Sequence, residues 1–251
     1  MLTDDAYDDH VKRLRAAIRS MPASAYTHTD NSPERRAARQ DVLDSAWSEL
    51  GGDDIPKGRQ GLVLAGLPGA FKTGIRTSGS VPGIGPIAQN FLPLDADYFK
   101  GKLIDAGMAP RLNGFSPMEA APLMHKESND LAKALSRRAY QQGTNVVWDN
   151  TLRHPHSPFS RLDEFDQHGY TPHGIYAHVD PAEALQRVTQ RHRDDLEAYL
   201  GGTHPHGGRY VPPSILTDSI NPDGSVANYD NYQALMPHLA TSQVIDTGSK
   251  Q

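Results

Sequence analysis

The chain has 251 residues and a formal net charge of −5, which fits one large α/β domain with a sizeable core and disfavours a strongly basic nucleic-acid surface. It contains no cysteine, which excludes disulfides, thiolate catalysis and cysteine-ligated zinc. The acidic start MLTDDAYDDHVKRL lacks an apolar stretch of signal-peptide length and no long apolar run follows it, so the expectation is a soluble, cytoplasmic protein without a membrane segment.

In chain order, Val11, Leu14, Ala17 and Ile18, then Ala37, Val42, Leu43, Ala46, Trp47 and Leu50, recur at helical spacing and predict helices over 4–20 and 33–50. Ser32-Pro33-Glu34 supplies cap, first-turn proline and early acid for the second, and Gly51-Gly52 ends it. These helices are expected to form an N-terminal extension over 1–56, packed on a domain over 57–251. A strand at 62–65 opens that domain. Residues 78–90, rich in Gly and Pro, read as irregular, and FLPLDADYFK reads as a short strand ending at Asp95 or Asp97.

Ser116-Pro117-Met118-Glu119 opens a helical region that stops at Gly143. Strand 146–148 then carries Asp149 at its carboxyl end, a helix follows at 160–168, and 175–179 makes another strand. Asp180-Pro181-Ala182-Glu183 starts the next helix with cap, proline and acid in order, and 242–246 is a closing strand. Stretches 201–213 and 218–226 read as polar loops. Strands alternating with helices imply a mostly parallel sheet covered on both faces, with ligands bound beyond the carboxyl ends of its strands.

The first strand runs into GLPGAFKTG, residues 66–74: Gly66, Leu67, Pro68, Gly69, Ala70, Phe71, Lys72, Thr73 and Gly74. This reads as a P-loop, in which backbone amides cradle phosphates, Lys72 reaches the terminal phosphates and the Thr73 hydroxyl ligates Mg²⁺. Phe71 stands where the pattern has glycine, at a position whose backbone often takes positive φ. Strain there, or a ring in the cradle, is therefore expected.

Two carboxylates, Asp95 and Asp97, share one face if their strand persists, and one of them suits a general base; a helix N-cap is the competing role. Asp149 is placed for magnesium and Arg153 for an anionic substrate. Arg187 and Arg191 lie four apart on one helix, and Arg209 follows in a loop. His154, His156, His204 and His206 sit two apart in proline-bearing loops without a cysteine, a poor metal pattern.

The ordered set GLPGAFKT, LDADYFK, ESNDLAKALSRRAYQQGTNVVWDNTLR, RVTQRHR and GRYVPP, spanning roughly 62–212, resembles the zeta-toxin family of P-loop kinases, partners of epsilon antitoxins. The resemblance implies a P-loop NTPase/kinase fold and transfer of the ATP γ-phosphate to a hydroxyl of UDP-N-acetylglucosamine or a related UDP-sugar, with Mg²⁺ and an antitoxin partner. It also implies Asp97 as the base, Lys72 and Thr73 on phosphates and magnesium, Asp149 near metal and substrate, Thr151 and Arg153 on the substrate, and Arg191 and Arg209 on the ATP phosphates. Alternatives are another acceptor such as NAD or a polynucleotide end, or a non-catalytic nucleotide-binding regulator because of Phe71.

Overall fold

A computed structural model describes residues 2–154 and 156–248. The chain divides into two compact units. One comprises Met1–Ala46, Asp95–Ala134 and Val188–Val211; the other comprises Trp47–Leu94, Leu135–Arg187 and Pro212–Gln251.

The elements in chain order are α1 (Asp4–Ser20), α2 (Pro33–Glu49), β1 (Gln60–Gly66), α3 (Lys72–Ser78), β2 (Ser80–Val81), β3 (Gly85–Pro86), α4 (Ile87–Asn90), β4 (Leu92–Leu94) and α5 (Ala96–Asp105). They continue with α6 (Ala121–Gln142), β5 (Val146–Asn150), α7 (His156–Gln167), β6 (Thr171–His178), α8 (Pro181–Leu200), α9 (Ser214–Thr217), α10 (Ala227–Leu235) and β7 (Thr241–Asp246).

The second unit is built on a five-stranded sheet in the order β4-β5-β1-β6-β7, parallel at every pairing. Its central strand β1, QGLVLAG, is buried along almost its whole length, as expected of a strand with neighbours on both edges and both faces. Gly61 of β1 and Gly174 of β6 are the positions where bulky side chains close over the sheet. A Cβ on Gly61 would stand 2.6 Å from the Phe165 ring of α7, and one on Gly174 would stand 2.5 Å from Leu239 and 2.9 Å from the Tyr232 hydroxyl. Residues 78–90, expected to be irregular, contain the β2-β3 hairpin and the single turn α4, pieces too short for periodicity to reveal.

The first unit is helical. Leu14 of α1 packs with Leu112, Ala120 and Leu123, and Ala17, Ile18 and Met21 line the same cluster. Glu127 of α6 receives a two-pronged hydrogen bond from Arg35, at 3.0 and 2.6 Å, and a third at 2.7 Å from Arg39, which fastens α2. The sequence caps behave as expected: the Arg35 amide donates to Ser32 Oγ at 3.2 Å, and Ala182 donates to Asp180 Oδ1 at 2.8 Å. Ser116 and Glu119 form a reciprocal capping box ahead of α6.

Candidate nucleotide-binding and phosphoryl-transfer site

In the sheet unit, β1 ends at Gly66 and the chain turns through residues 67–71 into α3, the strand-loop-helix order a phosphate cradle requires. Gly66 and Gly69 take φ of +143° and +85°, open to glycine alone or nearly so. Phe71 itself takes φ 58° and ψ 27°, the left-handed region, and is the N-cap of α3. The loop thus keeps the conformation a glycine would supply, with a phenylalanine in it, and that residue is 65% exposed.

Lys72 Nζ donates to the carbonyls of Gly66 at 2.9 Å and Leu67 at 3.0 Å and lies 3.7 Å from Asp149 Oδ1 at the end of β5. Strand pairing sets Asp149 beside Leu64 of β1, so the sheet register places this carboxylate next to the loop lysine. Thr73 follows in the first turn of α3. An ammonium, a hydroxyl and one nearby carboxylate fit a nucleotide with magnesium, an ion held by one or two carboxylates together with substrate phosphates. Among the described residues no group of three or more His, Cys, Asp or Glu is gathered as a metal cluster.

Two residues that motif reasoning did not select hold this loop from outside. Arg187 donates to the Gly69 carbonyl at 3.3 Å, to Glu183 at 2.6 Å and to the Thr247 carbonyl at 2.6 Å. Thr247 Oγ1 reaches the His178 carbonyl at 2.8 Å and the Ala70 carbonyl at 3.2 Å, its one proton shared between them. The sequence showed Arg187 only as one helix arginine among several, and Thr247 gave no signal. An Arg187→Ala variant is expected to weaken ATP binding roughly ten-fold by releasing the loop carbonyls; a calorimetric titration with ATP checks this.

The turn after β5 is equally supported. Leu152 takes φ 55°, Asn150 Oδ1 accepts from its amide at 3.0 Å, Asn231 donates to its carbonyl at 2.7 Å, and Asn228 donates to the Thr151 carbonyl. Arg153 is ion-paired with Asp218 at 3.0 Å.

The helical unit carries the remaining candidates. The strand expected to end at Asp95 or Asp97 stops at Leu94. Asp95 caps α5 and accepts from the Asp97 amide at 2.8 Å, and Asp97 stands in the first helical turn. The two acids therefore do not share a strand face: the capping bond turns the chain into a helix at once. Asp97 Oδ1 accepts from Lys100 Nζ at 2.6 Å and from Arg209 at 3.0 Å. Burial pushes the Asp97 carboxyl up, but Arg209 and Lys100, with Arg191 adding its charge, outweigh it and hold the group below the usual carboxylate range. Lys100, buried to 2% exposure, was not singled out from the sequence, because a lysine ending an amphipathic stretch normally reads as solvated. His206 Nε2 bonds Asp105 Oδ1 at 2.7 Å.

The Zeta toxin family model matches residues 57–243. The chain belongs to the Zeta toxin family. No match was found among curated proteins. Solved structures share the fold of this Zeta toxin family member. One is from the PezAT chromosomal toxin-antitoxin system of the human pathogen Streptococcus pneumoniae, 16% identical, with a TM-score of 0.61 over 86% of this chain and 78% of that one. Another, AvrRxo1-ORF1:-ORF2 with ATP, is 18% identical with a TM-score of 0.60 over 86% of this chain; the present chain spans 64% of that protein. The AvrRxo1-ORF1:AvrRxo1-ORF2 structure with sulphate ions, at 20% identity and a TM-score of 0.59, has the same coverage. Among the described residues no helix is long and apolar enough to cross a membrane.

Proposed function

We infer that this member of the Zeta toxin family is a kinase that moves the ATP γ-phosphate to a hydroxyl of a small nucleotide-type acceptor, with a UDP-sugar such as UDP-N-acetylglucosamine as the leading acceptor. The family match supports phosphotransferase chemistry. The observation that carries the reading is the loop from Gly66 to Gly74 between β1 and α3, with Asp149 3.7 Å from Lys72 Nζ. Magnesium bound with the nucleotide would neutralise phosphate charge, and Thr73 and Asp149 are the residues that would hold it.

The side chains divide the work. Lys72 holds the phosphates, Asp97 takes the proton of the acceptor hydroxyl, Arg191 and Arg209 offset charge on the transferring group, and Thr151 and Arg153 orient the acceptor. A kinase of this family working inside the cytoplasm with an antitoxin as its protein partner completes the reading. The solved relative from the PezAT toxin-antitoxin system and the ATP-bound AvrRxo1 structure lend it support.

The test is ATP consumption against a panel of UDP-sugars, NAD, nucleosides and oligonucleotides. Lys72→Ala is expected to lower turnover at least about a thousand-fold. Phosphorylation of NAD or of a polynucleotide end in place of a UDP-sugar would reassign the acceptor while keeping the kinase. The left-handed, exposed Phe71 favours one second reading, a nucleotide-binding regulator without turnover. ATP binding with no phosphorylated product on any acceptor, unchanged by Phe71→Gly, would establish that reading instead.

A further inference from the structure

The phosphate loop of this chain has phenylalanine at 71, where the pattern has glycine, and glycine at 74, and the two facts meet in space. Phe71 takes the left-handed conformation at the N-cap of α3 while its carbonyl accepts from the Ile75 amide at 3.2 Å. Its ring lies on Gly74: a Cβ built there would stand 1.9 Å from ring atom Cε1, 2.3 Å from Cζ and 2.4 Å from Cδ1. Real Cβ atoms do not approach so closely, so any side chain at 74 evicts the ring.

Gly74 is a helical position with no positive φ recorded for it. Its backbone needs no glycine, and helix propensity favours alanine there. The requirement for glycine at 74 comes from the ring of Phe71.

We propose that Phe71 and Gly74 act as a matched pair of positioning residues for the phosphate loop. The ring seated on Gly74 holds residue 71 in the left-handed turn that a glycine would adopt unaided. This inference rests on the nucleotide-binding reading of the loop. A bulky residue at φ near +58° is disfavoured unless its surroundings compensate, and the contact with Gly74 is that compensation. Neighbouring carbonyls of Gly69 and Ala70 are held by Arg187 and Thr247, so the pair sets the last turn of a loop whose earlier turn is fixed from outside. With the ring evicted, residue 71 relaxes toward negative φ and the amides at the start of α3 swing away from the phosphates.

A double-mutant cycle tests this. The affinity of a non-hydrolysable ATP analogue with magnesium is titrated for the unaltered protein, Gly74→Ala, Phe71→Gly, the double variant and Lys72→Ala, with melting temperatures recorded alongside. Gly74→Ala is expected to weaken the analogue roughly ten-fold or more with the melting temperature kept or raised, whereas in the Phe71→Gly background it costs less than about two-fold. Equal losses in both backgrounds, or no loss when Phe71 is present, would overturn the pairing. Unchanged analogue binding by Lys72→Ala would instead bring down the nucleotide reading on which the pairing rests.

Discussion

Replacing Asp97 with asparagine is expected to lower turnover by roughly 10²–10⁴-fold, the range for removal of a positioned general base, with little change in ATP affinity. Asp97 is fixed on two sides of one oxygen, with Lys100 at 2.6 Å and Arg209 at 3.0 Å on Oδ1. The groups facing it are Lys100 from α5 and Asp95 that caps it, Arg191 from α8, Arg209 from the loop after α8, and His125 from α6. Burial works against ionisation and the cations prevail, so the folded-state pKa falls below the ordinary 3.8.

The direction of the pH dependence follows. A base works in its ionised form, so the activity that depends on Asp97 is present above its lowered pKa and is lost only as pH falls through it, below the usual carboxylate range. Removing the buried ammonium with Lys100→Met takes away one of the charges that favour ionisation, so the acid limb of kcat/KM moves to higher pH. A profile measured between the acid limit of stability and neutrality, with and without Lys100, reads both effects. Full turnover by Asp97→Asn would transfer the base role to another group.

The second large effect concerns stability. Glu119, wholly buried, accepts from His10 Nε2 at 2.5 Å and His192 Nε2 at 3.2 Å through one oxygen, and from the Ser116 amide at 2.7 Å and hydroxyl at 2.9 Å through the other. The Tyr7 hydroxyl lies 2.8 Å from His192 Nδ1, so a His192 that donates through Nε2 accepts from Tyr7 through Nδ1 and needs no charge. Tyr7 and His10 belong to α1, so the cluster joins the first helix to the capping box and, beside the Arg193–Asp4 ion pair at 2.6 Å, to α8. Truncation by Glu119→Ala leaves His10, His192 and Ser116 without their shared acceptor and is expected to cost about 3–5 kcal/mol, read by urea unfolding at neutral pH.

Burial raises the Glu119 pKa, but the bonds from His10, His192 and Ser116 prevail and hold it down to about 2, against an ordinary value of 4.5. Because the folded value is the lower one, the stabilisation is complete above the ordinary value and drains away as pH falls from there toward about 2. The gap in stability between the unaltered protein and Glu119→Gln should therefore narrow over that window. A gap independent of pH would place the effect in packing alone.

What the sequence made legible was whatever repeats or caps. The helices at 4–20 and 33–50 and the strands around 62–65, 146–148 and 242–246 emerged within a few residues of their observed bounds, because an apolar period and a cap signal are local properties of the chain. The hairpin at 80–86 and helix α10 did not emerge. The first is too short to carry a period, and the second, ANYDNYQAL, presents polar residues whose Asn228 and Asn231 are committed to carbonyls some 77 to 79 residues away.

The same divide runs through the site. Lys72, Thr73 and Asp149 could be chosen from motif and strand end. Arg187 and Thr247 could not, since each acts through a contact with a loop distant in sequence; Gly74 was named with the loop, but its contact with the Phe71 ring was not legible. For Asp95 and Asp97 the sequence left a shared strand face and a helix cap both open, and the structure shows the cap at Asp95 with Asp97 in the first helical turn. The competition between a strand and an Asp-capped helix was decided by one hydrogen bond to its own amide.

Thr247, the residue after β7, bears on the order of events in synthesis. The loop at 66–74 leaves the ribosome early, yet a carbonyl within it, that of Ala70, is bonded by a residue more than 170 positions later, and that residue's own carbonyl is the anchor for Arg187. Domains acquire their contacts as the chain emerges from its N-terminus, so the loop at 66–74 gains these bonds only after residue 247 has been made. A nascent molecule therefore lacks the bonds that hold the Gly69 and Ala70 carbonyls of this loop until Thr247 has been made.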